Sequence, residues 1–358
     1  MFNSRPKIHC RGLACCFVGI TTAVTISGCN YPQAARPDTA APEVDAQRIR
    51  RVLDQLTDEL VWVQGGTFIM GDYGVHYGQK KGYVDINESS KPTHEVELSS
   101  YSISKFKITN DAYHTYLSTK GEPIRKYLLE GDQLGSTIPN LPALIDWYEA
   151  EAFCKWAATE TGLPFALPTE AQWEYAARSR GLFVPISTDT GDWDISYVGA
   201  SSYDDDLYRG RNLSTDGNRM DYAQSMGWPR DTFTLTPVDY FPPNPLGLYA
   251  MTDNGYEWVN DWYDPNYYSV SPRLNPQGPD QPVVESPVPG LYLKTLRGID
   301  FPSAGWRMGY TVSRSFSNPN SFIPGPEGGK PIFVANKTAR CAVNAPTPIT
   351  PSAQPGTH

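Results

Sequence analysis

Six cysteines stand at positions 10, 15, 16, 29, 154 and 341 of this 358-residue chain, and their spacing separates two kinds of chemistry. Four crowd into the first 29 residues, whereas Cys154 and Cys341 are alone in the long remainder. A thiolate can be a nucleophile, a soft metal ligand or a redox partner. Histidine is scarce: only His76, His94, His114 and His358 follow position 29, and no pair has the spacing that puts two metal ligands on one helix face. His94 and His114 read more simply as structural residues of a strand entry and a helical face.

Cys29 ends the run Ile26-Ser27-Gly28-Cys29, after an apolar segment from Leu13 to Ile26 and a start bearing Arg5, Lys7 and Arg11. A cationic flank, a short apolar core and small residues before a cut make a secretory signal. The core is shorter than the about 20 residues a membrane-crossing helix needs. An aliphatic residue, two small residues and a cysteine resemble a bacterial lipobox, whose cysteine is acylated and becomes the mature N-terminus. Residues 1–28 are then a signal peptide, and Cys29 tethers the protein to the cell envelope. Asn30, where an aspartate would favour the inner membrane, points to the outer membrane, facing the periplasm or the surface. Cleavage leaves Cys154 and Cys341 in an oxidising compartment, where two thiols usually make one disulfide.

Removing Arg5, Lys7 and Arg11 with the signal takes the net charge from −9 to −12. A chain this acidic is repelled by nucleic acid, so no nucleic-acid partner is expected. Residues 29–45 are rich in Ala and Pro and read as a lipidated spacer. Asp45 to Leu60 carries Ile49, Val52, Leu53, Leu56 and Leu60 near helical spacing, which predicts an amphipathic helix with Arg48, Arg50 and Arg51 on its outer face. Residues 343–358 are rich in Pro, Thr and Ser and read as a disordered tail. Between them, residues 46–342 form the expected domain, with 22 Tyr, 9 Trp, 30 Gly and 32 Pro in the whole chain. Such a composition suits an irregular fold whose loops carry much of the core. Strong helices are predicted at Trp147 to Trp156 and at Thr169 to Arg178, the second started by Thr169 as N-cap with Glu170 in the first turn.

Four segments occur in a telling order: WVQGGTFIMG (62–71), HEVELSSYSISKFKITNDAY (94–113), WYEAEAFCKWAATETGLPFALPTEAQWEYAAR (147–178) and GLYAMTDNGYEWVNDWY (247–263). Together they resemble the formylglycine-generating enzyme, or sulfatase-modifying factor, family, and LRGIDF with SRSFSNPNS is a weakened form of its last motif. The resemblance implies an α+β domain of complex, C-type-lectin-like type with little regular secondary structure.

It also implies chemistry that this chain meets only in part. The family's oxidases bind copper through two cysteines near the last motif, as soft thiolates. Between Arg297 and Arg314 the chain reads RGIDFPSAGWRMGYTVSR, and no cysteine occurs from Lys155 to Arg340. Ser303 and Met308 cannot replace two thiolates, so copper is not expected and the two read as loop and core residues. The family's iron branch needs histidine and carboxylate ligands; the supply is poor, yet ligands from distant loops leave iron open. Calcium is the cofactor the resemblance favours, held by hard oxygen donors in two loops. The first site falls on the side chains of Asn212 and Asp231 with the carbonyls of Leu213 and Phe233. The second falls on Asp253, Gly255 and Glu257, and is weakened because Ala250 stands where a side-chain ligand is expected. The plainer alternative makes Asn212 and Asp231 ordinary turn residues. The family also implies a structural disulfide between Cys154 and Cys341, with a redox role for Cys154 as the alternative.

These readings lead to a membrane-anchored module without the oxidase's thiols, whose expected work is to bind a protein partner. By analogy the partner is a secreted effector such as a type VI lipase, neutralised by an immunity lipoprotein, or a component of a secretion or gliding machine. The acidic run Asp204 to Asp206 would suit a basic surface, or is simply a solvated loop. The competing expectation is an enzyme that uses Asp300, Trp306, Arg307 and Arg314 around a metal in the same groove. Against it, Arg297 and Arg314 also read as buried charge partners.

Overall fold

In a computed structural model, residues 45–349 are described except for 78–81, 83, 86, 128, 195–210, 233, 300–309, 321, 324–331 and 334–336. The expected signal and spacer, with Cys29, lie outside the described residues up to residue 44, as does the acidic run at 204–206.

Local capping signals set the helices. Helix α1 spans Ala46–Asp58, with the Asp45 side chain accepting from the Gln47 amide. Its Arg48 and Arg51 reach Asp111 at 2.8 and 3.4 Å. Strands β1 (Leu60–Val63), β2 (Gly66–Met70), β3 (His94–Leu98) and β4 (Tyr101–Ser104) follow, then helices α2 (Asn110–Thr119) and α3 (Glu130–Gly135). Helix α4 (Trp147–Thr161) begins with a reciprocal cap between Asp146 and Glu149 and stops at Gly162, whose φ of 72° suits glycine. After β5 (Phe165–Ala166), helix α5 (Glu170–Ala177) starts with the same device, Thr169 with Gln172. Helix α6 (Asp216–Ser225), β6 (Tyr256–Trp262), β7 (Lys294–Arg297), β8 (Ser315–Ser317), β9 (Phe322–Ile323), β10 (Ile332–Phe333), β11 (Lys337–Ala339) and β12 (Ala342–Val343) complete the order. None of the described helices is long and apolar enough to cross a membrane.

There are two four-stranded sheets, ordered β1-β4-β12-β5 and β11-β6-β7-β8, and two short pairs, β2-β3 and β9-β10. β11 runs parallel to β6, and the other pairings are antiparallel. One core packs α2 and α4 against Trp258, Leu296 and Val343. The other packs α5 against β2, β3 and β4 around Trp173, Tyr175 and Tyr268. All eight residues of α5 are buried, its two glutamates included.

Two expectations need correction. Val343 is not the start of a disordered tail: it is buried in β12, opposite Ser102 and Phe165, and Ala345 and Ile349 pack on the first core. The strand gains partners on both edges there, which a composition reading cannot see. Leu60 opens β1 instead of ending the first helix.

Candidate functional site

Glu170 and Glu174 are four residues apart on α5, so their side chains leave the helix on one face. Both are buried, and three arginines meet them. Arg314 holds Glu170 at two points, at 2.7 and 3.0 Å. Arg297 bridges the two acids, at 2.8 Å to each. Arg178 takes the remaining Glu174 oxygen at 2.8 Å, and that oxygen also accepts from the Gly71 amide. The Arg314 guanidinium lies 4.3 Å from the centre of the Tyr268 ring, a favourable cation–π placement. Burial by itself would raise the Glu170 carboxyl, but Arg314 and Arg297 outweigh it and hold it below the ordinary range. Asp261, which accepts from the Glu170 amide at 2.8 Å, has no such pairing. Burial, with the Glu170 charge added, pushes it up to about 7.

A second buried cluster centres on Glu257 in β6. Its two oxygens accept from Lys107 at 2.6 Å, from Arg340 at 2.7 and 2.9 Å, and from the Trp173 indole at 3.0 Å. The Lys107 ammonium also donates to the Gly255 carbonyl at 3.0 Å. Burial draws Lys107 down to about 8, against the pull of Glu257. Gly255 has φ +100°, and a Cβ there would come within 2.8 Å of Thr338. Cys341 follows Arg340 and is bonded to Cys154 with a Cα–Cα distance of 5.8 Å, both residues buried.

The second expected calcium site does not have the expected arrangement, and the first is described only in part. Glu257 is surrounded by cations and donors, and the Gly255 carbonyl is taken by an ammonium, so the second donor set does not fit a metal. Asp253 is buried too: its carboxylate accepts from the Ser214 amide at 2.8 Å, from the Ser214 hydroxyl and from the Asn254 amide, with Arg219 3.7 Å away. At the first site, Asn212 is a loop clamp. Its oxygen accepts from Asp194 at 3.1 Å, and its amide nitrogen donates to Asp189, Thr190 and Asp192. The Leu213 side chain is buried and Asp231 is exposed, while Phe233 lies outside the described residues.

Of the groove residues expected to serve catalysis, only Arg314 is described. Arg314 is fully engaged in the α5 cluster, and Asp300, Trp306, Arg307, Ser303 and Met308 lie outside the described residues. His76 is in an exposed turn, His114 is on α2, and His94 is on β3 with its ring 4.7 Å from that of Tyr268. Among the described residues no three His, Cys, Asp or Glu side chains stand together as a metal-binding group. A neutral cleft of about 320 Å³ is lined by Ser99, Ser100, Gln172, Asn275, Gln277 and Asn344.

Sequence reasoning did not single out Lys107, Glu174, Trp173 or Arg340 as members of polar clusters. The Glu170/Glu174 pair could have been found, since two acids at helical spacing among Ala171, Trp173, Ala176 and Ala177 need cations if the helix is buried. For Lys107 the only signal was a lysine between Phe106 and Ile108 just before a helix.

The family profile described as sulfatase-modifying factor enzyme 1-like domain matches residues 46–316. The formylglycine-generating enzyme of Streptomyces coelicolor is 26% identical over 290 residues, which covers 69% of this chain and 81% of that protein. Serine/threonine-protein kinase pkn1 of Chlamydia caviae is 28% identical over 260 residues, covering 68% of this chain and 33% of that protein. The chain thus spans about a third of the first curated relatives it matches. Among solved structures, PvdO from Pseudomonas aeruginosa superposes with a TM-score of 0.52 at 21% identity, over 79% of this chain and 93% of that one. That likeness carries the α+β fold alone. With most of the chain matched by one profile, this protein belongs to the sulfatase-modifying factor enzyme 1-like domain family.

Proposed function

We propose that this chain is a non-catalytic, protein-binding member of its family, held at the cell envelope by acylated Cys29. The observation that carries the reading is the buried Cys154–Cys341 disulfide. It consumes both thiols that follow Cys29, so no pair of thiolates is left for copper. The buried glutamates are likewise engaged with arginines and lysine. A rigid core of this kind supports irregular loops, which suits recognition.

A surface for a partner is available. Tyr77 and Phe183 stack with ring centres 4.6 Å apart and planes 6° from parallel, yet they remain 40% and 38% exposed. Val75 and Leu182 are exposed beside them in the same two loops. Exposed aromatic patches of this sort are typical anchors in protein interfaces. The partner fitting an envelope-tethered module is a secreted effector such as a lipase, or a component of a secretion machine.

The test is photo-crosslinking in cells of the source organism, with a benzophenone amino acid at position 77 and, as control, at exposed Lys155 in the middle of α4. A discrete protein adduct at 77 only is expected. In parallel, the purified protein is given copper, oxygen, reductant and a peptide bearing Cys-x-Pro-x-Arg, and the peptide mass should stay unchanged. An aldehyde product lost on copper chelation would overturn the non-catalytic reading in favour of a metal-dependent oxidase. The same adduct at both positions, or at neither, would remove the binding surface.

A further inference from the structure

The Glu257 cluster places an ammonium where a divalent cation would have to sit. We infer that Lys107 is a built-in substitute for a bound cation, fastening the bend at Gly255 to Glu257 at the start of β6 without metal.

Lys107 Nζ touches the Gly255 carbonyl at 3.0 Å and Glu257 Oε1 at 2.6 Å. A calcium ion would need those same oxygens at about 2.3–2.6 Å, so ion and ammonium exclude each other. The rest of Glu257 is committed to Arg340 and the Trp173 indole, and Ala250 has no side-chain donor to complete a coordination shell. The lysine and the glutamate are both fully buried, so their attraction is little screened by solvent or salt. Lys107 lies between β4 and α2, and its side chain thereby ties this segment to the turn before β6. A tethered cation also differs from a free one in its dependence on conditions. Metal bound by a folded state stabilises it in proportion to the logarithm of metal concentration, whereas a covalent ammonium is always present. The inference is independent of what the protein binds.

Two measurements on the detergent-purified full chain test it. In the native state, amine acetylation read by mass spectrometry should label Lys107 at least tenfold more slowly than Lys155, whose side chain is 68% exposed, and EDTA should leave the difference unchanged. Labelling of Lys107 at the Lys155 rate, or protection that vanishes with EDTA, would overturn the inference. Second, Lys107→Ala should lower Tm, and n-propylammonium, which replaces the deleted atoms and charge, should restore at least half of the loss when present during refolding. Lys107→Met fills the same space without charge and should not respond to propylammonium. If Lys107→Ala is as stable as the original, or Lys107→Met alone restores full stability, no cation is needed and the inference fails. If neither variant folds, the acetylation result decides.

Discussion

Arg314 grips Glu170 at two points, Nε to Oε1 at 2.7 Å and Nη2 to Oε2 at 3.0 Å, across 144 residues of sequence. The pair sits where the first and last thirds of the domain converge, because Arg314 also donates to the Ser89 carbonyl at 2.7 Å. A two-point guanidinium–carboxylate contact is directional as well as strong. It holds the loop before β8 onto α5.

Removing one partner should therefore be costly. Glu170→Ala takes the only carboxylate paired with the buried Arg314 among the described residues, and one of two from Arg297, and is expected to lower stability by roughly 3–5 kcal/mol. Replacing both members, as in Glu170→Leu with Arg314→Met, should cost less than the two single changes added together, since no buried charge is orphaned between them. Urea unfolding of the four proteins measures this, and strict additivity would show that the pair is not coupled.

The disulfide gives a second expectation. It links residues 187 apart, and removing such a bond from a secreted domain typically costs about 2–5 kcal/mol. Thiol titration of the unfolded, unreduced protein should find neither Cys154 nor Cys341 reactive. Reduction should lower Tm, and the double Cys→Ala variant should reproduce the loss.

Asp261 makes stability depend on pH. Its folded-state pKa is raised to about 7 from 3.8 by burial and by the Glu170 charge, so the folded chain holds this proton more tightly than the unfolded one. The contribution of Asp261 is greatest at low pH and is lost as pH climbs through about 4 to 7. Asp261→Asn keeps an acceptor for the Glu170 amide and cannot ionise. Relative to the original protein, the variant should gain roughly 2–4 kcal/mol between pH 5 and pH 8. Parallel curves for the two proteins across that range would refute the assignment.

The anchor is tested through Ile26-Ser27-Gly28-Cys29. Cys29→Ser should abolish incorporation of labelled palmitate and leave an unprocessed precursor or a soluble form. Unchanged labelling and membrane fractionation would mean that Cys29 is not the acylated residue.

What could be read ahead of the structure was what neighbours in sequence decide. The starts of α4 and α5 were legible, because Asp146 with Glu149 and Thr169 with Gln172 close their caps within one turn. The family was legible too, from four motifs in order. Helix α6 was not singled out and α2 only through His114 on a helical face, since these two ten-residue helices are too short to be stable alone and draw on tertiary packing. The boundary at residue 342 was missed for a similar reason: β12 exists only because β4 and β5 lie on either side of it.

The sequence by itself determined the inventory: two thiols after Cys29, none between Lys155 and Arg340, few histidines, and an acidic chain behind a lipobox-like start. Those facts limit which chemistry is available whatever the fold. Only the tertiary structure decided how the charges are used. Glu257 looked like a metal ligand in its own loop, but Lys107 and Arg340, 150 and 83 residues away, meet it inside the core. Arg314 looked able to line a groove and instead closes on Glu170. The physical reason is desolvation. A carboxylate or guanidinium in water is indifferent to distant residues, but once buried it must find an opposite charge or, as Asp261 does, hold a proton, and the fold alone determines which partner comes within reach.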